Sequence, residues 1–241
     1  MTRPARERHR TLVALALALA CAGCGTTSSG PAAPTSASPS GAAASAILGS
    51  AVLEAFAALT QRDGLTFHLE QTASMAIDGT ASGGATYALD VAGKDFAGVI
   101  DAAGQRINIT WVNGRTWLST DGRTWSEGKA LDAATVADIV GPWRYLGPID
   151  ALVLVRTDSA GLHFANGSPV EYQTSAMKAQ GLSGAVDSMD FLVQADGRPV
   201  RLALHATASP ATGELAGKRF ETTTTILFSK VGEALTIAPP K

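Results

Sequence analysis

Apolar positions along this chain keep a helical spacing briefly and then a strand spacing for most of its length. Ile47, Leu48, Val52, Phe56 and Leu59 recur three and four residues apart, which sets them in one stripe of a helix that Asp63-Gly64 ends. From Leu65 the period becomes two. Leu65, Phe67, Leu69, Ala73, Met75 and Ile77 fall on one side of an extended segment, with Thr66, His68, Glu70, Thr72 and Ser74 on the other. Asp78-Gly79 and Gly83-Gly84 signal turns, after which Ala85, Tyr87, Leu89 and Val91 alternate against Thr86 and Asp90. Phe96 to Ile100, Ile107 to Val112 and Thr116 to Ser119 read as three further strands. Ala103-Gly104, Asn113-Gly114 and Asp121-Gly122 supply the glycine that a tight hairpin needs. The product is an antiparallel meander with one apolar and one wet face.

The middle changes character. Asp132 to Val140 predicts a short helix capped by Asp132, and the apolar stretch Leu146 to Val155, with Pro148 near its start, predicts a second. Strand patterns return over Gly161 to Ala165, Pro169 to Met177, Met189 to Ala195, Pro199 to Ala206 and Arg219 to Phe228. No internal repeat is evident. Helix, strands, helices, strands in this order make an α+β domain. Its expected form is a single large antiparallel sheet with the helices on its concave face, because about nine long strands curl rather than lie flat.

The N-terminal residues have a different logic. Arg3, Arg6, Arg8, His9 and Arg10 precede the apolar run Leu12 to Ala20, which ends at Cys21-Ala22-Gly23-Cys24. This is the layout of a secretory signal, expected over residues 1–23, and the run is shorter than the roughly 20 apolar residues of a membrane span. Residues 24–45, rich in Ala, Ser, Thr, Pro and Gly, cannot bury enough apolar surface to offset ordering entropy and are expected to be a flexible tether. Residues 46–241 are long enough for one domain with a sizeable core. The two cysteines spell C-x-x-C, but no other cysteine accompanies them, so neither a redox motif nor a disulfide in the domain is expected. A formal charge of −2 without a basic cluster in the domain argues against nucleic acid as a partner.

Ala22-Gly23-Cys24 after the apolar run resembles a bacterial lipobox. That resemblance implies a diacylglyceryl, palmitate-type anchor on Cys24 and a protein held on the extracytoplasmic side of the cell membrane. Cys21 stands where the pattern usually has an aliphatic residue, and it remains the alternative lipidation site. Two more segments extend the likeness: the Gly-bounded hairpin Asn113-Gly114-Arg115-Thr116-Trp117-Leu118-Ser119-Thr120-Asp121-Gly122-Arg123-Thr124-Trp125, and the ending Phe228 to Pro240. With the lipobox, the tether, the N-terminal helix and the long strands, they make the chain similar to the LppX/LprG family of actinobacterial lipoproteins, which has a LolA-like fold.

The resemblance implies a U-shaped half-barrel whose overlying helices enclose a hydrophobic cavity for acyl chains. It also implies carriage of a lipid or glycolipid between envelope layers, and it leaves room for a membrane exporter as partner. No catalytic residue and no cofactor come with it. On this expectation the lining is Val52, Phe56, Leu69, Met75, Leu89, Ile109, Trp111, Phe191 and Leu204, with Ala73, Ala85 and Ala206 leaving space. Burying hydrocarbon is worth about 0.8 kcal/mol per methylene, so a carrier must offer an acyl chain nearly as much apolar surface as a bilayer does. The competing reading of every one of these side chains is ordinary core.

Other signals are weak. His68, His163 and His205 lack a paired ligand spacing and read as solvent-facing, and no metal site is expected. Asp187 and Asp190 read as a solvated strand edge rather than an acid–base pair. No serine sits in G-x-S-x-G, so a hydrolase is unsupported. Trp111, Trp117, Trp125 and Trp143 suit a cavity rim, a membrane interface or simple packing. The functional alternative to a carrier is a non-enzymatic envelope sensor or scaffold that binds a protein or cell-wall component. It would show a closed core and an exposed apolar patch.

Overall fold

Period-two alternation becomes one continuous sheet in the computed structural model, which describes residues 39–172, 182–210 and 216–241. Helix α1 (Pro39–Thr60) leads into β1 (Thr66–Ile77), β2 (Thr80–Ala92), β3 (Asp95–Ala102), β4 (Gln105–Val112), β5 (Arg115–Ser119) and β6 (Ser126–Glu127). Helix α2 (Ala133–Val140) and two 3₁₀ turns, Pro142–Leu146 and Ile149–Ala151, cross to the second half. That half holds β7 (Leu152–Asp158), β8 (Gly161–Asn166), β9 (Val170–Tyr172), β10 (Leu182–Val193), β11 (Pro199–Pro210) and β12 (Phe220–Ser229).

The strands run in the order β6-β5-β4-β3-β2-β1-β12-β11-β10-β8-β7, with β9 beside β10. Both halves are antiparallel, and they join where β1 pairs with β12, from His68 opposite Ser229 to Ile77 opposite Phe220. β6 and β7 end the order without pairing to each other, so the sheet is an open half-barrel, the expected fold class. The hairpins at Ala103-Gly104 and Asn113-Gly114 have both central residues at positive φ, 52° and 73° in the first and 52° and 78° in the second. That is the turn whose twist matches paired strands.

One face of the sheet carries the core. Phe67, Leu69, Leu89, Val91, Phe96, Ile109, Leu202 and Ile226 are buried in the same cluster as Val52, Leu53 and Phe56 of α1. The 3₁₀ turn Pro142–Leu146 inserts Trp143 between helix and sheet. Its ring lies 5.7 Å from Phe56, 5.2 Å from Phe67 and, stacked, 5.1 Å from Phe228. Phe56 also meets Phe191 edge-on at 4.9 Å. Such pairs add about 0.5–1.5 kcal/mol each beyond the area they bury.

Four elements differ from the sequence reading. Gly83-Gly84, expected as a turn, lies inside β2 and pairs with Ser74 and Met75 of β1, beside a register shift after Met75. Helix α1 begins at Pro39, not at Ile47, so the end of the 24–45 tether is helical. Pro39 suits a first helical position, and Ala42 to Ala44 favour helix whatever they face. The stretch Leu146 to Val155 is not a helix: after the turn at Ile149–Ala151 it becomes β7, paired with β8 from Leu152 opposite Asn166. A short apolar run with β-branched Val153 and Val155 takes the conformation that its partner strand stabilises. Strand β10 begins at Leu182, well before Met189. Of the strand expected over Pro169 to Met177, Val170–Tyr172 is present, and the part after Tyr172 lies outside the described residues.

Candidate ligand cleft

The nine side chains expected to line a cavity are all buried. Eight of them share the main cluster with α1, and Met75 belongs to a smaller one with Ala208 and Phe220. The structure therefore gathers eight of them into one packed core and sets Met75 apart from it. Where Phe56 and Trp143 stand, protein rings fill the space between helix and sheet.

An opening lies beside this aromatic plug, between α1 and the β7 edge. It is a cleft of about 1110 Å³ walled by Leu53 and Ala57 of α1, Leu152 and Leu154 of β7 and Phe164 of β8. None of the nine expected residues borders it. Glu54, Asp150 and Arg156 also line it and supply its charged groups. Gly49 explains how the helix comes so near the strand: a Cβ there would lie 3.3 Å from the Leu154 Cβ and 3.6 Å from Phe164 Cε1. Apolar walls with a few polar groups are the usual make-up of a site for an apolar ligand.

Sequence reasoning missed these residues for identifiable reasons. Ala57 lies off the apolar stripe of α1, and Leu152 and Leu154 fall in the run whose pattern predicts a helix. Only the close Gly49, inside an otherwise helical pattern, hinted at a packing contact.

A charged network on the other side of β8 adjoins the cleft and shares Arg156 with its lining. His163 was expected to face solvent, but it is buried. Its Nδ1 lies 2.9 Å from Asp190 Oδ1 and its Nε2 3.1 Å from Asp158 Oδ2. Arg156 Nη2 is 3.1 Å from Nδ1 and 2.9 Å from Nε2, nearly equidistant, so the guanidinium lies over the ring. Arg201 pairs with Asp190, which is thus a network member rather than a solvated edge. The N–H of Ala160, followed by the charges of His163 and Arg156, holds the Asp158 carboxyl below the usual range. His68 and His205 are half-buried and pair with Asp90 at 2.8 Å and Asp187 at 3.4 Å. Asp158 and Asp190 sit at opposite ring nitrogens of His163. Among the described residues, no three His, Cys, Asp or Glu side chains are arranged to hold a metal ion. The network joins β7 to β8, β10 and β11, so it stiffens the strand that walls the cleft.

Cys24, Cys21, the signal segment and the tether up to residue 38 lie outside the described residues. No described helix is long and apolar enough to cross a membrane.

No family model and no curated protein matches the chain. Among solved structures it is similar to the Mycobacterium tuberculosis lipoprotein LppX, with 11% identity and a TM-score of 0.44 over 80% of this chain and 99% of that one. LprF from Mycobacterium bovis gives 9% identity and a TM-score of 0.44 over 81% and 97%. A LolA superfamily protein from Nitrosomonas europaea gives 10% and 0.30 over 79% and 94%. With identities this low, what the cleft does follows from its own chemistry.

Proposed function

We propose that this chain is a lipid-anchored lipoprotein of the cell envelope that binds an acyl chain of a lipid or glycolipid and carries it between envelope layers. It acts without catalysis or cofactor, and it is held on the extracytoplasmic side of the membrane through Cys24. The observation that carries this reading is the cleft of about 1110 Å³ between α1 and β7, walled by Leu53, Ala57, Leu152, Leu154 and Phe164. Each methylene moved from water onto such walls gains about 0.8 kcal/mol. Glu54, Asp150 and Arg156 can meet a polar headgroup while the tail stays among the aliphatic side chains.

Native mass spectrometry of the purified protein tests this. A co-purified lipid, or an added fatty-acyl probe, is expected on the wild type. Ala57→Trp, which fills the cleft from the half-buried side of α1, is expected to cut probe binding by about tenfold or more while leaving the melting temperature near wild type. A protein that carries no lipid and binds no acyl probe refutes the carrier reading.

A second reading is favoured by the aromatic plug of Phe56, Trp143, Phe67, Phe191 and Phe228, which closes the centre of the molecule. With the exposed aliphatics Ile47, Val153 and Val155, it suits a non-enzymatic sensor or scaffold. That reading predicts an unliganded protein whose Ala57→Trp variant behaves as wild type.

A further inference from the structure

We infer that α1 at Ile47 and Leu48 and the β7 edge together form a bilayer-docking face, which sets the mouth of the cleft against the membrane. The inference deepens the carrier reading and rests on it for the anchor at Cys24. Five large hydrophobic side chains are markedly exposed among the described residues, and four of them belong to these two elements. Ile47 and Leu48 of α1 are 72% and 44% exposed, and Val153 and Val155 of β7 are 51% and 61% exposed. Val153 and Val155 line the cleft, and Gly49 and Ser50, directly after Leu48, line its other wall. Single exposed aliphatics are ordinary, whereas several grouped around one opening mark an interaction surface.

The chain leading to this face identifies the occupant. From Cys24 to Leu53 there is no charged residue, and Glu54 is the first. The segment between Cys24 and Pro39 spans at most about 50 Å when extended, so α1 stays within reach of the layer that holds the anchor. An uncharged approach ending in exposed Ile47 and Leu48 has nothing to hold it away from a lipid surface. Glu54, Asp150 and Arg156 set the depth, because charges stay at headgroup level while the aliphatics reach the acyl boundary. Shallow seating also leaves the unpaired N–H and C=O groups of the β7 edge among water and headgroups. With no basic cluster on the face, docking needs no anionic lipid. An acyl chain then enters the cleft without crossing bulk water.

The test uses the full lipidated protein on phosphatidylcholine vesicles in which part of the lipid carries brominated acyl chains, a contact quencher of tryptophan. Ile47→Trp and Val155→Trp report the proposed face, and Leu227→Trp, 45% exposed in the wild type on β12, reports the far side of the sheet. After subtraction of the wild-type signal, quenching at 47 and 155 is expected to exceed that at 227 by about twofold or more and to persist in high salt. Protein that floats with the vesicles while 47 and 155 are no more quenched than 227 overturns the docking face and leaves the anchor standing. A second copy covering the face would give that same result. Protein that fails to float refutes the anchor and the docking together.

Discussion

A missing Cβ decides how α1 lies on the sheet. Gly197, in the β10–β11 turn, has φ of 84°, and a Cβ there would sit 2.6 Å from Ala55 C and Phe56 N. The turn therefore touches helix backbone directly, at the level of the aromatic plug. Gly197→Ala is expected to cost about 2 kcal/mol or more, read by denaturant unfolding, because both φ and the contact must change. Asp132 acts just as locally: its carboxylate accepts the N–H of Thr135 at 2.8 Å and so caps α2. That backbone hydrogen bond holds its pKa below the ordinary carboxylate value. Asp132→Ala should cost about 1 kcal/mol near neutral pH. Because the folded value is the lower one, the stabilisation is full above the unfolded value of about 4 and is lost as pH falls through the folded value. The gap between variant and wild type should thus close in acid, and a constant gap from pH 7 to pH 2 would contradict the cap.

Among elements, β7 shows most clearly where local reading stops. Strands β1 to β5 were legible because alternation and dipeptides such as Asn113-Gly114 are written within a few residues. The run Leu146 to Val155 was not, since periodicity cannot separate a short buried helix from a strand, and its pairing with β8 decided the matter. His163 illustrates the same limit at a single strand position. It reads as an isolated histidine until β7, β10 and β11 bring Arg156, Asp158, Asp190 and Arg201 around it. His163→Ala is expected to destabilise the fold by about 2 kcal/mol, since it strips partners from both carboxylates and leaves a hole. Hydrogen exchange should then quicken in β7 more than in β1. Equal protection in both strands would mean that the network does not hold the edge.

At the scale of the molecule, the proposed function joins an anchor expected from the lipobox-like Ala22-Gly23-Cys24 to a cleft that only the folded chain displays. Cys24→Ala is expected to move the protein from the membrane to the soluble fraction, as measured by fractionation and by loss of acyl-chain mass. Membrane retention with unchanged acylation would assign the lipid to Cys21.

What the sequence determined by itself is an α+β chain with one large, curling antiparallel sheet, its meander, the Asp132 cap and the apolar positions Val52, Phe56, Leu69, Leu89 and Phe191. All of these depend on spacing along the chain. Whether those side chains face a void or one another depends instead on how closely two distant segments approach. Gly197, Gly49 and Trp143 settle that distance through contacts with residues far away in sequence. Gly197 and Trp143 press the C-terminal half of α1 onto the sheet, while Gly49 brings the middle of the helix against Leu154 beside the open volume at β7.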